Sequence, residues 1–312
     1  MRAAVVTDVE RPPVAGEFAE PDVPEGFVPL TVEASAVHQI VRAIAAGRNP
    51  TISAAPPFVP GLDAVGRLPD GTLVYAAGAR PPFGTLAERT AVPAAAAIPL
   101  PAGFSVTTAA ALVNPAYSAW QPLTEHLRAG SGQTVLVLGG TGVSGLLAVQ
   151  LAQRLGAGRV IAAGLAGAGL TRAAELGADA TVALGGDYPQ RLIAAASDGV
   201  DLVLDYLWGE PAAGTFQALA QMARPPWQPV QFVQIGSVAG NSLKLDAALL
   251  RNQNLQISGN GLGTLDPGTR VAGIRALLEF AADGKLQIDT VVHPLSEVEQ
   301  VWDTTGRLVL VP

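Results

Sequence analysis

One stretch of the chain has the residue types and spacing to hold a phosphate. Gly140-Thr141-Gly142-Val143-Ser144-Gly145 reads G-x-G-x-x-G, with Gly139 just before it. Glycine weakens both helices and strands, so four within seven positions need a reason. An apolar run, Thr134 to Leu138, precedes the glycines, and Leu147, Leu151 and Leu155 recur every four residues after them. That pattern is a strand, a turn and an amphipathic helix. In this setting Gly140 permits the tight turn, Gly142 lets the backbone approach a pyrophosphate, and Gly145 lets helix and strand pack closely. The helix N-terminus then offers unpaired N–H groups and a partial positive charge to the phosphates. Gly139, Gly140, Thr141, Gly142, Val143 and Gly145 are therefore candidate dinucleotide contacts. The alternative is a plain glycine-rich strand-to-helix turn.

A dinucleotide site needs a ribose-reading residue about 20 positions on, at the end of the next strand. That strand is Arg-Val-Ile-Ala-Ala-Gly, ending at Gly164. An acidic residue there would bind the ribose 2′-hydroxyl of NADH; this chain offers Gly164, Leu165, Ala166 and Gly167. With no carboxylate to repel a 2′-phosphate, NADPH is favoured over NADH, and Arg172 is the nearest cation. A solvated helix residue is the alternative for Arg172.

Other chemistries find little support. The chain has no cysteine and three separated histidines, His38, His126 and His293, so a zinc site is not expected. No G-x-S-x-G nucleophile elbow occurs. No tyrosine stands four residues before a lysine: Tyr75, Tyr117, Tyr188 and Tyr206 precede Ala79, Gln121, Leu192 and Glu210 at that spacing.

The elements that must position these residues fall into two kinds. Up to about residue 110, short apolar segments alternate with Pro and Gly, which reads as an antiparallel β domain with one helix over His38 to Ala46. Beyond it, apolar runs at Thr134–Leu138, Arg159–Ala163, Ala180–Leu184, Asp201–Asp205, Val230–Ile235 and Leu255–Ser258 alternate with helical segments. Six such strands with crossover helices make a parallel sheet covered on both faces. A last helix, about Pro267 to Gly284, and a strand, Arg-Leu-Val-Leu-Val, are too short to stand alone and are expected to return to the first domain. The expected division is residues 1–110 and 263–312 against 111–262. The Pro-rich stretch Arg224 to Val230 reads as a surface excursion.

A chain of 312 residues that is 49% hydrophobic and 14% charged can bury two substantial cores. Its net charge of −7, with no basic tract, argues against a nucleic-acid partner. No signal peptide or membrane span is read, and a cytoplasmic location is expected.

Several ordered segments together resemble a known family. They are Phe58 to Leu68, Gly84 to Val92, Asn114 to Leu123, the glycine loop with Ala148 to Ala157, Glu175 to Leu184, Val200 to Glu210, Val233 to Gly240, and the terminal Arg307 to Pro312. In order and spacing they resemble a zinc-free medium-chain dehydrogenase/reductase of the quinone oxidoreductase and enoyl reductase branch. Zinc-dependent relatives carry Gly-His-Glu where this chain has Gly61-Leu62-Asp63, and their four-cysteine lobe is missing here. Two residues that NADPH-using relatives often carry, a Lys near Gly169 and a Tyr at Leu184, are also replaced.

The resemblance implies an α/β chain: a GroES-like β domain plus a Rossmann doubly wound, parallel six-stranded sheet. It implies NADPH as cofactor and hydride transfer to a quinone or α,β-unsaturated carbonyl, whose conjugation spreads the arriving charge without a metal. His38, Asn114, Tyr117 and Tyr75 are the implied candidates for substrate contact or oxyanion donation. Asp63 is read as a structural hydrogen-bonding residue. Ile235, Gly236 and Ser237, and the loop of Asn260 and Gly261 running to Gly263, are implied near the nicotinamide. Trp208 walls or supports the pocket equally well. Pairing of Leu255–Ser258 across a twofold axis would give a homodimer. An NADP-dependent alcohol dehydrogenase or biosynthetic tailoring reductase, a non-catalytic NADPH-binding redox sensor and, lower still, a methyltransferase remain as alternatives.

Overall fold

The computed structural model describes residues 1–49, 52, 54–225, 227–261 and 263–312. The chain divides into two compact units, Met1–Asn114 with Ile274–Pro312, and Pro115–Gly273.

In the first unit, β1 (Arg2–Val5) pairs with β2 (Val14–Glu17) as a separate ribbon. The main sheet begins with β3 (Phe27–Val37), which runs into α1 (Gln39–Ala45), and continues with β4 (Asp63–Arg67), β5 (Leu73–Ala77), β6 (Arg89–Pro93) and β7 (Ile98–Pro99). β3 pairs with both β4 and β6, and carries a bulge between Val32 and Ala34 in its pairing with β4. α2 (Val106–His126) has Pro115 and Pro122 inside it, and the division between the units falls at Asn114 and Pro115. Asn114 and Pro115 both lie inside this helix.

The second unit is built on a sheet of six parallel strands: β8 (Thr134–Leu138), β9 (Arg159–Gly164), β10 (Ala180–Ala183), β11 (Leu202–Asp205), β12 (Val230–Gln234) and β13 (Leu255–Gly259). Their order is β10-β9-β8-β11-β12-β13, so the direction of winding reverses after β8. β8 and β11 are buried throughout, as continuous apolar runs covered on both faces must be. The crossover helices are α3 (Val143–Arg154), α4 (Ala168–Glu175), α5 (Tyr188–Ala195), α6 (Gly209–Gln221) and α7 (Ala247–Asn252). α3 buries Gly145 and every residue from Leu147 to Ala152, so it is covered on more sides than its four-residue leucine repeat indicates, while Leu155 is half-buried. Phe216 and Phe232 pack with ring centres 4.6 Å apart, and Trp208 stands edge-on to both. Trp208 thus supports the core.

After α8 (Pro267–Ala281) the chain completes the first unit with β14 (Thr290–Pro294), α9 (Val298–Val301) and β15 (Arg307–Val311). β15 pairs antiparallel with β3, Leu308 opposite Val37. The strands before residue 110 pair antiparallel, as their punctuation indicates, whereas β14 and β15, which the chain adds from its last segment, pair in parallel. A parallel pair needs a crossover of about a dozen residues, and the segment carrying α9 provides one. The stretch from Arg224 to Val230 is a loop leading into β12, with Trp227 77% exposed; Pro226 lies outside the described residues.

Candidate functional site

β8 ends at Leu138, and the chain turns at once. The N–H groups of Gly139 and Gly140 both donate to the Ala163 carbonyl at 2.8 Å, tying the turn to β9. The left-handed conformation falls on Gly139, with φ +93°, and not on Gly140, which sequence spacing selects for the turn. A Cβ at Gly140 would stand 2.8 Å from the Ala162 side chain, and one at Gly145 2.7 Å from the Gly140 Cα. The first and last glycines of the motif are thus close-packing residues. Gly142 is different. It is exposed, it is the N-cap of α3, and a Cβ there would meet nothing nearer than 3.6 Å. No side chain caps this helix, so its N-terminal end and open backbone suit a diphosphate.

Around this turn the carboxyl ends of four strands converge. A Cβ on Gly139 would meet Tyr206 and Leu207, just after β11, at 3.1 and 3.2 Å. Gly236, after β12, approaches as closely, its Cβ position 2.7 Å from the Tyr206 carbonyl. The N–H groups of Ile235 and Gly236 donate to the Asp205 carbonyl at 2.7 and 3.1 Å. The Tyr206 hydroxyl and the Ser118 hydroxyl are 3.2 Å apart, and Asn260 Nδ2 donates to the Ser118 carbonyl at 2.9 Å. The candidates Gly139, Ile235, Gly236 and Asn260 are thereby brought together through Ser118, Asp205 and Tyr206, none of which was singled out from sequence. Ser237 follows in the same loop and Gly261 follows Asn260; Leu262, in the expected nicotinamide loop, lies outside the described residues.

Asp205 was the residue with a legible signal, a carboxylate ending an otherwise apolar strand. It is fully buried. Its Oδ1 accepts from the N–H groups of Leu207 and Trp208 at 2.8 and 2.9 Å, while Oδ2 is buried without a partner. Burial pushes its carboxyl up to about 6, against the pull of those two backbone bonds. Trp208 next to this turn has φ +55°, a backbone conformation rare outside glycine. Burial likewise pushes the Tyr206 phenol up.

Tyr117, on α2, is half-buried, and its ring lies over Gly273 of α8, where a Cβ would come within 2.9 Å of the hydroxyl. Burial raises its phenol, with Arg270 opposing. Asn114 lies one helical turn before Ser118 and is partly buried. Gly164 ends β9, followed by Leu165, 75% exposed. Arg172 sits on α4, its guanidinium 3.2 Å from Glu175 on the same helix.

His38 and Tyr75 belong to a different constellation, in the first unit. Asp63, fully buried at the start of β4, accepts from His38 Nε2 at 2.8 Å and from the Tyr75 hydroxyl at 2.7 Å. Arg307, at the start of β15, places NH1 2.6 Å from His38 Nδ1. A guanidinium only donates, so Nδ1 is the acceptor and His38 is the neutral Nε2–H tautomer. Ser35 and Thr85 donate to the Asp63 backbone carbonyl. Burial lowers Arg307 to about 10, with Asp63 opposing, and it stays charged at neutral pH. This corrects the expectation that His38 and Tyr75 offer hydrogen bonds to a substrate: both are buried and their donor groups are committed to Asp63. Arg307 was missed, its only signal being a cation opening an apolar terminal strand. Among the described residues no group of three or more His, Cys, Asp or Glu could hold a metal ion.

Comparison with known proteins places these features in a family. Residues 144–281 match the family model of zinc-binding dehydrogenases. A probable NADPH-dependent quinone reductase of Emericella nidulans is 31% identical over the whole of both chains. A 2-methylene-furan-3-one reductase of Solanum lycopersicum is 32% identical over 60% of this chain and 51% of its own. The quinone oxidoreductase of Thermus thermophilus, solved also in complex with NADPH, superposes with a TM-score of 0.81, 30% identical, covering all of both chains. With its glycine turn, six parallel strands and no cysteine, the chain belongs to the zinc-free medium-chain dehydrogenases/reductases, in the quinone oxidoreductase and enoyl reductase branch.

Proposed function

We propose that the chain is an NADPH-dependent reductase that delivers hydride to a quinone or an α,β-unsaturated carbonyl without a metal. The observation that carries this reading is the uncapped, open N-terminus of α3 behind the glycine turn, in a chain 31% identical end to end to a probable NADPH-dependent quinone reductase. Gly139, Gly140, Thr141, Gly142, Val143 and Gly145 would hold the diphosphate through backbone N–H groups and the helix end. Gly164 leaves the ribose end free of a carboxylate, and Arg172 supplies positive charge there once it exchanges Glu175 for a phosphate. Ile235, Gly236, Ser237, Asn260 and Gly261 would line the nicotinamide end.

When bound, NADPH supplies a hydride from its nicotinamide ring. The protein's part is to align, to exclude water and to meet the developing oxyanion with a donor. Asn114 and Tyr117, on one helix, carry the remaining donor candidacy. Tyr117, its phenol raised by burial, stays protonated at neutral pH and so stays a donor. His38 and Tyr75 act at a distance, by holding α1 and β5 to Asp63. A cytoplasmic homodimer fits the same reading. β13 is the edge strand of its sheet, its residues after Leu255 are exposed, and a twofold copy would cover it. No helix of the described residues is long and apolar enough to cross a membrane.

The test is NADPH oxidation by purified protein, oxygen excluded, against ortho-quinones, para-quinones and enones, with NADH in parallel. Turnover of one acceptor class, faster with NADPH, is expected. Nucleotide binding without turnover of any acceptor would return the sensor reading.

A further inference from the structure

The end of β9 looks empty in sequence, yet it is filled by Thr141. A Cβ built on Gly164 would stand 2.6 Å from Thr141 Oγ1, closer still to Cγ2, and 3.0 Å from the Thr141 Cβ. A Cβ built on Gly169, in the first turn of α4, would stand 2.8 Å from the same Thr141 Cβ. Turning Thr141 about χ1 cannot move its Cβ, so position 169 stays closed in every rotamer; at position 164 the two γ atoms make the closest approach, and the Cβ stands at 3.0 Å. The backbones on either side are also fixed. The Leu184 N–H donates to the Gly164 carbonyl at 2.8 Å, and the turn before Thr141 is tied to Ala163. One threonine therefore keeps side chains off position 164, from which a ribose reader would project, and off position 169.

We propose that Thr141 is the residue that sets nucleotide preference in this chain, by excluding from position 164 the side chain that would bind an unphosphorylated ribose. This rests on the reading of the protein as a nicotinamide-dinucleotide reductase. The preference for NADPH then follows from a steric gate, with the 2′-phosphate meeting backbone and Arg172 in space that no carboxylate can enter. It also follows that position 164 cannot be exchanged alone.

Two double-mutant cycles on the purified full-length chain test the gate. In the first, without nucleotide, urea unfolding is measured for the parent, T141A, G164A and T141A/G164A. G164A is expected to raise the unfolding equilibrium constant by about tenfold or more in the parent and by much less beside T141A. In the second, NADH and NADPH dissociation constants are measured by calorimetry for the parent, G164D and T141A/G164D. G164D alone is expected to change the NADH-to-NADPH affinity ratio by less than about threefold, and the double variant to move it toward NADH by at least about tenfold. Equal costs of G164A in both backgrounds, or a full change of preference from G164D alone, would overturn the gate. Coupling in the first cycle with neither nucleotide binding the parent would instead overturn the reductase reading on which the inference rests.

Discussion

Two buried aspartates show how differently this chain treats the same side chain. Asp63 has both carboxylate oxygens taken, by His38 and Tyr75, and its backbone carbonyl taken by Ser35 and Thr85. Beyond His38 stands Arg307, so a negative and a positive charge are buried together across one neutral imidazole. Asp205 is as deeply buried, but one of its oxygens has no partner and no cation pairs with it among the described contacts. Its work is done by Oδ1 and by the backbone carbonyl, which hold the turns after β11 and β12 beside the glycine loop. The saturated cluster is a scaffold. The half-satisfied carboxylate is tolerated where the strand ends must be shaped for a ligand, as buried unpartnered groups often are.

The largest expected effect comes from breaking the saturated side. Asp63→Ala leaves the Arg307 charge buried without a counter-charge and takes the acceptor from the His38 and Tyr75 donors, and should cost about 3–5 kcal/mol in urea unfolding. Joining Asp63→Leu to Arg307→Met removes both charges and should recover much of that loss; no recovery would mean that the pair is not the origin of the cost.

Asp205 should behave in the opposite sense. Its folded-state pKa lies above its unfolded value, raised from 3.8 to about 6, so the folded protein binds a proton more readily than the unfolded chain between those values. Stability should therefore fall as pH rises from about 4 to about 6, by about 3 kcal/mol. Asp205→Asn, which keeps an acceptor for Leu207 and Trp208, should abolish that contribution, read as the difference between the two stability-against-pH curves. Parallel curves would contradict it.

Smaller effects sharpen the contrast. Tyr75→Phe removes one donor to a charged acceptor and should cost about 2 kcal/mol in unfolding while leaving nucleotide affinity alone. Arg172→Gln should barely change stability, since the Glu175 pair is on the surface, but should weaken NADPH by about tenfold and NADH much less, measured by calorimetry.

Much of the second unit was legible because its signals are local. Thr134–Leu138 is the strand that its run of apolar residues indicated, and the other five strands agree to within a residue or two. The last strand was placed beside the first domain for want of a core of its own, and β15 does pair with β3. What stayed hidden depends on contacts distant in sequence. Nothing in the chain order joins Asp63 to Arg307, and His38 consequently looked like a free donor. Helical Asn114-Pro115 runs against the turn preference of that pair because α2 buries Ala109 to Val113 before it and Ala116 after it, and tertiary burial outweighs local propensity. The glycine motif was found in sequence, but its division of labour was not. Only the folded chain shows that Gly139 makes the turn and that Thr141 fills the end of the neighbouring strand.

The most direct test of metal-free hydride delivery follows the hydrogen itself. The protein would be dialysed against a chelator and mixed anaerobically with NADPH deuterated at nicotinamide C4 and with an enone that it turns over. Deuterium at the β-carbon of the product, at a rate unchanged by the chelator, is the predicted result. Loss of turnover on chelation with recovery on adding zinc, or product free of deuterium with both C4-deuterated epimers, would contradict the account.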